Sequence, residues 1–296
     1  MKALSRNFLM LILTLFSFSE IIAQSEGVLI EGRTVNSTVL NKSVKYSIYL
    51  PPDYSTSSRK YPVVYLLHGY SDDQTAWSQF GEIKYYADKA IESGLIPSMI
   101  IVMPDAGYSW YCNSYDGKEN YEDFFIKEFI PFVDTTYHTK KQKIYRAVSG
   151  LSMGGFGSMF YAIKYPQFFG VAAPLSAGVL TDDEVVSMND KLWETYFSRV
   201  IGPGLKGKDR LDKYREKISI LEMVSQKSKE ELSRVRFWID CGDDDDFIKG
   251  NCFLHLALTE KGVPHEFRVR DGFHTWSYWR SGITNALEFI GKRFRN

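Results

Sequence analysis

A Gly-Leu-Ser-Met-Gly segment at residues 150–154 is the part of this sequence best suited to covalent chemistry. It has the G-x-S-x-G pattern, and it lies between a strand predicted over residues 144–148 and a helix predicted over residues 154–164. The glycines allow a sharp turn that leaves the serine exposed at the end of the strand. Ser152 is therefore the candidate nucleophile.

A serine hydroxyl needs a general base before it can attack a carbonyl carbon. The chain has five histidines: His68, His138, His255, His265 and His274. Serine hydrolases with this motif place the nucleophile, the acid and the histidine in that order, with the histidine on a loop after the last strand. Residues 264–270 alternate like a strand, and His274 follows them, so His274 is the candidate base.

The acid that orients the histidine should follow the preceding strand, where four aspartates stand together at residues 243–246. Spacing alone does not choose among them. A calcium site is the competing interpretation, but the run lacks the alternating acids and the central glycine of an EF-hand loop. We therefore expect no metal site and no cofactor.

Two backbone N–H groups should stabilise the oxyanion that forms during acyl transfer. Met153, which follows the nucleophile, is expected to supply one of them. The other should come from the loop after the strand at residues 63–67, where Tyr70 is the candidate. His68, at the start of that loop, is interpreted as a buried brace.

Short apolar runs without alternation predict strands that are buried on both faces, as in a parallel sheet. They lie at residues 63–67, 99–103, 144–148, 171–175 and 237–239. Helical patterns lie between them, at residues 83–92, 121–133, 154–164 and 252–261. This alternation predicts an α/β fold with a mostly parallel, doubly wound sheet and helices on both faces. Residues 180–232 interrupt the alternation and are expected to form an insertion over the sheet.

The chain of 296 residues has 36 basic and 36 acidic side chains, so it carries no net charge at neutral pH. Such a chain has no general attraction for nucleic acid or anionic membranes, and we expect neither as a partner. Three cysteines fit no zinc spacing and leave the disulfide pairing open: Cys112, Cys241 and Cys252. The sequence does not specify an oligomeric state.

The first 23 residues have the layout of a signal peptide. A positively charged start is followed by an apolar run over residues 8–18 and by the small Ala23. The pattern predicts a secreted or periplasmic protein with no stable membrane insertion after cleavage. The remainder, residues 24–296, is expected to be a single domain.

Taken together, several motifs resemble the esterase-D-like α/β-hydrolases. This group includes feruloyl and acetylxylan esterases of carbohydrate esterase family 1, tributyrin esterases and S-formylglutathione hydrolases. The motifs are Tyr49-Leu50-Pro51-Pro52, Leu66-Leu67-His68-Gly69, Met103-Pro104-Asp105, Gly150-Leu151-Ser152-Met153-Gly154-Gly155, Asp240-Cys241-Gly242 and Gly272-Phe273-His274. The resemblance implies the α/β-hydrolase fold and ester hydrolysis by a Ser-His-Asp triad.

The resemblance also implies which aspartate is the acid, because the family places it three residues after the glycine of the Cys-Gly pair. That position holds Asp245, with Asp244 as the alternative. It further supports Tyr70 and Met153 as the oxyanion donors. The expected substrates are small-molecule or carbohydrate esters with feruloyl, acetyl or short acyl groups.

Aromatic residues on the predicted loops around the nucleophile are candidates for contacts with the substrate: Trp77, Trp110 and Trp276. Packing of the loops on one another is the alternative interpretation. An acyltransferase or a thioesterase could use the same triad. A carbohydrate-binding relative without catalysis is a further alternative, which the complete set of triad candidates disfavours.

Overall fold

The computed structural model describes residues 26–295, so the predicted signal peptide lies outside the described residues. Eight strands form one sheet within this range. They are β1 Val28–Ser37, β2 Lys42–Leu50, β3 Val63–Leu67, β4 Ile100–Pro104, β5 Arg146–Leu151, β6 Val171–Leu175, β7 Arg236–Gly242 and β8 His265–Arg270. Their order across the sheet is β1-β2-β4-β3-β5-β6-β7-β8.

The sheet is antiparallel at one edge and parallel over the rest of its width. β1 pairs with β2 and β2 pairs with β4 in antiparallel fashion, whereas every pair from β4 to β8 is parallel. All residues of β3, β4, β5 and β6 are buried, which explains their continuous apolar runs. The predicted α/β fold with a mostly parallel sheet is therefore confirmed.

Helices cover both faces of the sheet, as predicted. They are α1 Ala76–Gln79, α2 Ile83–Glu92, α3 Tyr121–Phe124, α4 Ile130–Thr136, α5 Met153–Lys164, α6 Asp182–Ser187, α7 Asp190–Tyr196, α8 Ser198–Ile201, α9 Lys208–Lys217, α10 Ile220–Gln226, α11 Lys229–Leu232, α12 Ile248–Glu260 and α13 Trp276–Arg295. The buried side chains of α5 join the core on one face, and those of α2 and α13 join the core on the other.

Several predicted boundaries differ from those in the structure. The helix predicted over residues 121–133 contains a π-helical segment, Phe125–Phe129, between α3 and α4. The strand predicted over residues 144–148 begins at Arg146, because Lys143–Tyr145 forms a 3₁₀ turn, and it continues to the residue before Ser152.

The longest helix, α13, was not predicted from the sequence. Its buried positions recur at helical spacing, with Trp279, Ile283, Leu287 and Ile290 among them. This periodicity was the signal that could have revealed it. No helix within residues 26–295 combines the length and the apolar character needed to cross a bilayer.

Helices α6 to α11 occupy the insertion predicted over residues 180–232, between β6 and β7. Two of them begin with capping boxes, Thr181 with Glu184 and Ser228 with Glu231, which satisfy N–H groups at the helix starts. The buried Trp193, Phe197 and Tyr214 join the core on the α5 side of the sheet. The insertion is thus packed on the sheet domain.

Candidate active site

The turn at Ser152 joins the end of β5 to the start of α5. The backbone of Ser152 has φ 55° and ψ −117°, a conformation that costs a residue other than glycine about 1–3 kcal/mol. Two hydrogen bonds hold the turn. Ser152 N–H donates to Leu175 O at 3.1 Å, and Gly178 N–H donates to Ser152 O at 3.0 Å. The strained turn presents the serine side chain to a cleft.

Close approach of β3 explains the glycines on both sides of this turn. A Cβ atom at Gly154 would lie 2.4 Å from Leu67 O, and one at Gly150 would lie 2.6 Å from the same oxygen. Both distances are shorter than van der Waals contact allows, so a larger residue would force β3 and α5 apart. The motif therefore reflects packing as well as the shape of the turn.

Three residues that are far apart in the sequence form one hydrogen-bonded chain. Ser152 Oγ lies 2.9 Å from His274 Nε2, and His274 Nδ1 lies 3.0 and 2.9 Å from the two carboxylate oxygens of Asp245. Because an ionised carboxylate only accepts hydrogen bonds, Nδ1 carries the proton and Nε2 is free to accept the serine proton. The structure thus brings together Ser152, Asp245 and His274.

Burial distinguishes Asp245 from the other aspartates of the run at residues 243–246. Asp245 is 2% exposed, whereas the other three are exposed. Burial by itself would raise the pKa of this carboxyl group. The hydrogen bonds from His274 and from Phe247 N–H outweigh burial and hold the pKa of Asp245 below its ordinary value. Asp245 is therefore an anion at neutral pH.

The exposed Asp243 and Asp244 meet Asp271, and each of the three offers a carboxylate oxygen within 4.8 Å of the others. Asp243 also accepts a hydrogen bond from Gly272 N–H at 3.0 Å. Acidic groups in water are screened and often lie close together without an ion. The expectation that this site holds no metal stays a prediction.

The two predicted oxyanion donors lie in segments that adjoin Ser152. Met153 is the first residue of α5, where an N–H has no acceptor within the helix. Gly69 precedes Tyr70, and a Cβ atom at Gly69 would lie 3.8 Å from Ser152 Cβ. Among the described residues, neither Tyr70 N–H nor Met153 N–H donates to a protein acceptor. Both amides are available to a negatively charged oxygen.

His68 lies beneath the loop that carries Tyr70 and is 1% exposed. Its Nδ1 donates to Gly69 O at 2.7 Å, and its Nε2 accepts from Ala106 N–H at 2.8 Å. Burial lowers the pKa of His68, although Asp105 and other nearby acids partly oppose this. His68 makes no hydrogen bond to Ser152 or Asp245, and it links the loops that follow β3 and β4.

The nucleophile opens into a cleft of about 890 Å³. The insertion forms one wall with residues of the α6–α7 turn and of α7, and the loops that carry Tyr70, Phe247 and His274 form the other walls. The insertion contributes Leu180, Glu184, Ser187, Met188, Asn189, Leu192, Tyr196 and Phe197. A mostly apolar cleft of this size can enclose an ester with a ring-sized substituent.

The three tryptophans proposed to contact substrate differ in position. Trp110 and Trp276 line the cleft. Trp110 is 3% exposed and its Nε1 donates to Tyr196 O at 2.8 Å, so it also fixes the insertion. The prediction that Trp77 contacts substrate is wrong, because Trp77 does not line the cleft. It is 1% exposed, and its Nε1 donates to Leu67 O at 2.9 Å beneath the site.

Trp279 is a further residue of the site that was not predicted from the sequence. Its ring packs edge-on against His274 with the centroids 4.8 Å apart, and its Nε1 donates to Ser176 Oγ at 3.0 Å. Phe247 contacts another side of the His274 ring at 5.2 Å. These two rings fix the plane of the imidazole. The helical spacing of α13 was the signal that could have pointed to Trp279.

Comparison with known proteins adds independent information to this geometry. The family described as "Putative esterase" matches residues 37–290. The chain belongs to this esterase family. The solved structure of a ferulic acid esterase is also similar, with a TM-score of 0.77 and 30% sequence identity. That match covers 91% of this chain and 99% of the other.

Two relatives in sequence are also named as esterases. Esterase Rv1288 of Mycobacterium tuberculosis is 31% identical over 253 residues, which are 78% of this chain. The chain spans about half the length of that relative, 52%. The acetyl esterase of Caldicellulosiruptor saccharolyticus is 25% identical over 269 residues, covering 86% of this chain and 96% of the relative.

Proposed function

We propose that this member of the esterase family is a serine carboxylesterase that hydrolyses esters through an acyl-enzyme intermediate. The observation that carries the proposal is the hydrogen-bonded chain from Ser152 Oγ through His274 to the buried Asp245. Nucleophile, base and orienting acid each have their partner within 3.0 Å. Two amides without protein acceptors lie next to the nucleophile.

In the first step, Ser152 Oγ attacks the ester carbonyl carbon while His274 Nε2 takes the serine proton. The carbonyl oxygen becomes an oxyanion that accepts hydrogen bonds from Tyr70 N–H and Met153 N–H. The N-terminus of α5 adds favourable electrostatic potential there. Asp245 stabilises the imidazolium of His274. When the tetrahedral intermediate collapses, the C–O bond breaks and His274 protonates the departing alcohol.

In the second step, water attacks the acyl group on Ser152 while His274 Nε2 accepts a water proton. The same two amides hold the second oxyanion. Collapse releases a carboxylic acid, and His274 returns its proton to Ser152 Oγ. The enzyme ends in its starting protonation state, so the cycle needs no cofactor.

We further propose that the substrates are feruloyl, acetyl or short-chain acyl esters of plant-derived carbohydrates, met outside the cytoplasm. The relatives named ferulic acid esterase and acetyl esterase support these acyl groups. The cleft has room for a hydroxycinnamoyl ring. The predicted signal peptide supports export.

The proposal is tested by assaying the protein without residues 1–23 on 4-nitrophenyl acetate and methyl ferulate. The Ser152→Ala variant should lose about 10⁴–10⁶-fold in kcat, because no other group can form the acyl-enzyme. Ser71→Ala is the matched control, since Ser71 also lines the cleft but makes no hydrogen bond to His274. It should stay within about twofold of wild type.

A Ser152→Ala protein that folds and keeps a tenth of the activity would refute the assignment of the nucleophile. Hydrolysis of both esters by the wild type would support a hydroxycinnamoyl-ester enzyme. Hydrolysis of the acetate alone would move the substrate class to acetylated sugars or short acyl esters.

A further inference from the structure

The charged side chains that line the cleft all carry the same sign. Asp72, Glu184 and Asp246 face it, and no lysine or arginine of the described chain lines it. The whole chain has equal numbers of acidic and basic residues, so this imbalance is a local property. A cleft lined by one sign of charge and by apolar walls concentrates its potential on the ligand.

Asp72 is the acid placed to act most strongly. It is half-buried beside the loop that carries the proposed oxyanion donor Tyr70, and its Oδ2 would lie 2.9 Å from a Cβ atom at Gly69. Burial raises the pKa of Asp72, because it removes part of the water around the carboxyl group. Its charge is therefore less screened by water than that of a fully exposed acid.

The other two acids extend the negative surface toward the cleft rim. Glu184 is held by the capping box at the start of α6, where its carboxylate accepts hydrogen bonds from Thr181 N–H and Oγ1. Asp246 is exposed and directly follows Asp245. Neither carboxylate forms an ion pair within residues 26–295.

The cations on the nearby wall are engaged elsewhere. Arg210 is buried behind the wall, where it pairs with Asp190 and donates to Leu205 O at 2.9 Å. Arg199 pairs with Glu119 at 3.4 Å and lies over the ring of Tyr108. Neither residue lines the cleft. Arg199 acts on the Tyr70 side chain from outside the cleft, and its charge is shared with Glu119.

We infer that the cleft selects uncharged or cationic esters and rejects anionic ones, with Asp72 as the main determinant of this selectivity. The inference rests on the proposed esterase function and concerns the charge of its substrate. A ligand carboxylate near Asp72 is repelled on binding. The repulsion persists in the transition state, so kcat/KM for anionic esters falls.

Three acetate esters with leaving groups of similar shape test this: 4-acetoxybenzoate, 4-acetoxybenzamide and 4-acetoxyphenyl-trimethylammonium. They release the same acyl group and differ in the charge of a remote substituent. Each kcat/KM is divided by the rate constant for hydrolysis catalysed by imidazole, which corrects for leaving-group reactivity. In wild type the normalised value for the anion should be about tenfold below that of the amide, and the cation should equal or exceed the amide.

Asp72→Asn should lower the ratio of normalised kcat/KM between the amide ester and the anionic ester about threefold. The ratio is measured within one variant, so a general change in activity does not affect it. Glu260→Gln is the control, because it removes one exposed negative charge outside the cleft. Glu260→Gln should leave the ratio of normalised kcat/KM between the amide and the anionic ester unchanged. Raising the ionic strength should narrow the wild-type ratio as well.

Equal normalised rates for the three esters in wild type would overturn the charge selectivity alone. A change in ratio that is as large in Glu260→Gln as in Asp72→Asn would overturn the role of Asp72. If the wild type hydrolyses none of the three esters, the proposed esterase function is overturned instead, and this inference with it.

Discussion

The four adjacent aspartates at residues 243–246 occupy different environments in this protein. Asp245 points inward, accepts two hydrogen-bond contacts from His274 and is 2% exposed, whereas Asp244 is exposed to water. An acid can orient a histidine only if its geometry is fixed, and burial between Phe247 and His274 fixes that of Asp245. Side chains in water at residues 243, 244 and 246 lack this constraint.

The two candidate acids can be separated by isosteric substitution. Asp245→Asn should lower kcat about 10⁴-fold, because an amide in this place favours the wrong histidine tautomer. Asp244→Asn removes the same charge one residue away and should change kcat less than about twofold. The measurement is kcat on 4-nitrophenyl acetate. The reverse pattern would make Asp244 the acid and contradict the geometry.

At the scale of elements, the site depends on the loops at the carboxyl ends of the parallel strands. β3, β5, β7 and β8 lead into the loops that carry Tyr70, Ser152, Asp245 and His274. His68 joins the loop after β3 to the loop after β4 through hydrogen bonds to Gly69 O and from Ala106 N–H. Protonation of Nε2 would remove the second bond, so the loops require a neutral imidazole.

The neutral state of His68 predicts a dependence of stability on pH. Burial lowers the pKa of His68 in the folded protein, whereas in the unfolded chain a histidine binds a proton below about pH 6.5. Unfolding therefore takes up a proton below that pH. The stabilisation is complete above about pH 6.5 and is lost as the pH falls from there toward the folded-state pKa.

Urea unfolding between pH 5 and pH 7.5 measures this effect. As the pH is lowered below about 6.5, the free energy of unfolding of wild type should fall by up to about 1.4 kcal/mol per pH unit more than that of His68→Gln, because the variant lacks the proton uptake. Above that pH the two profiles should run parallel. At pH 7.5 the free energy of unfolding of His68→Gln should be lower than that of wild type, because glutamine reproduces the two hydrogen bonds of His68 less well. Profiles that stay parallel below about pH 6.5 would refute a neutral, buried His68.

At the scale of the whole molecule, the insertion between β6 and β7 closes one side of the cleft. Arg210 of α9 holds that wall in place from behind. Its guanidinium donates to Met188 O and Leu205 O, pairs with Asp190 and lies 5.0 Å from the ring centre of Trp193. Since Met188 lines the cleft, a residue remote from Ser152 helps set the shape of the site.

Arg210→Met should lower the free energy of unfolding by about 2–3 kcal/mol, because two carbonyl groups lose their donor. We also expect kcat/KM to fall more for methyl ferulate than for 4-nitrophenyl acetate, since the larger acyl group should contact the cleft wall that the insertion forms. Arg215→Met in the same helix is the control: its pair with Asp182 is exposed and should contribute less than about 1 kcal/mol. Equal losses for both esters would contradict a role in shaping the cleft.

The local pattern of residues in the sequence was sufficient to predict much of the fold. Continuous apolar runs predicted the central strands, because strands covered on both faces must be apolar throughout. The glycines at residues 150 and 154 predicted the turn at Ser152, since only glycine permits such close backbone contact. By contrast, the π-helical segment at Phe125–Phe129 was not predicted, because irregular hydrogen bonding defines it. Helix α13 was also not predicted, although its helical periodicity is present in the sequence.

The sequence was enough to predict the strand, turn and helix around Ser152, and to make His274 the candidate base from the order of serine, acid and histidine. These follow from local backbone chemistry and from chain order. Three features became visible only in the fold: which aspartate is buried against the histidine, the position of Trp77 beneath the site, and the three acids that share the cleft. Burial and charge environment depend on residues distant in the chain, and a linear pattern does not contain those contacts.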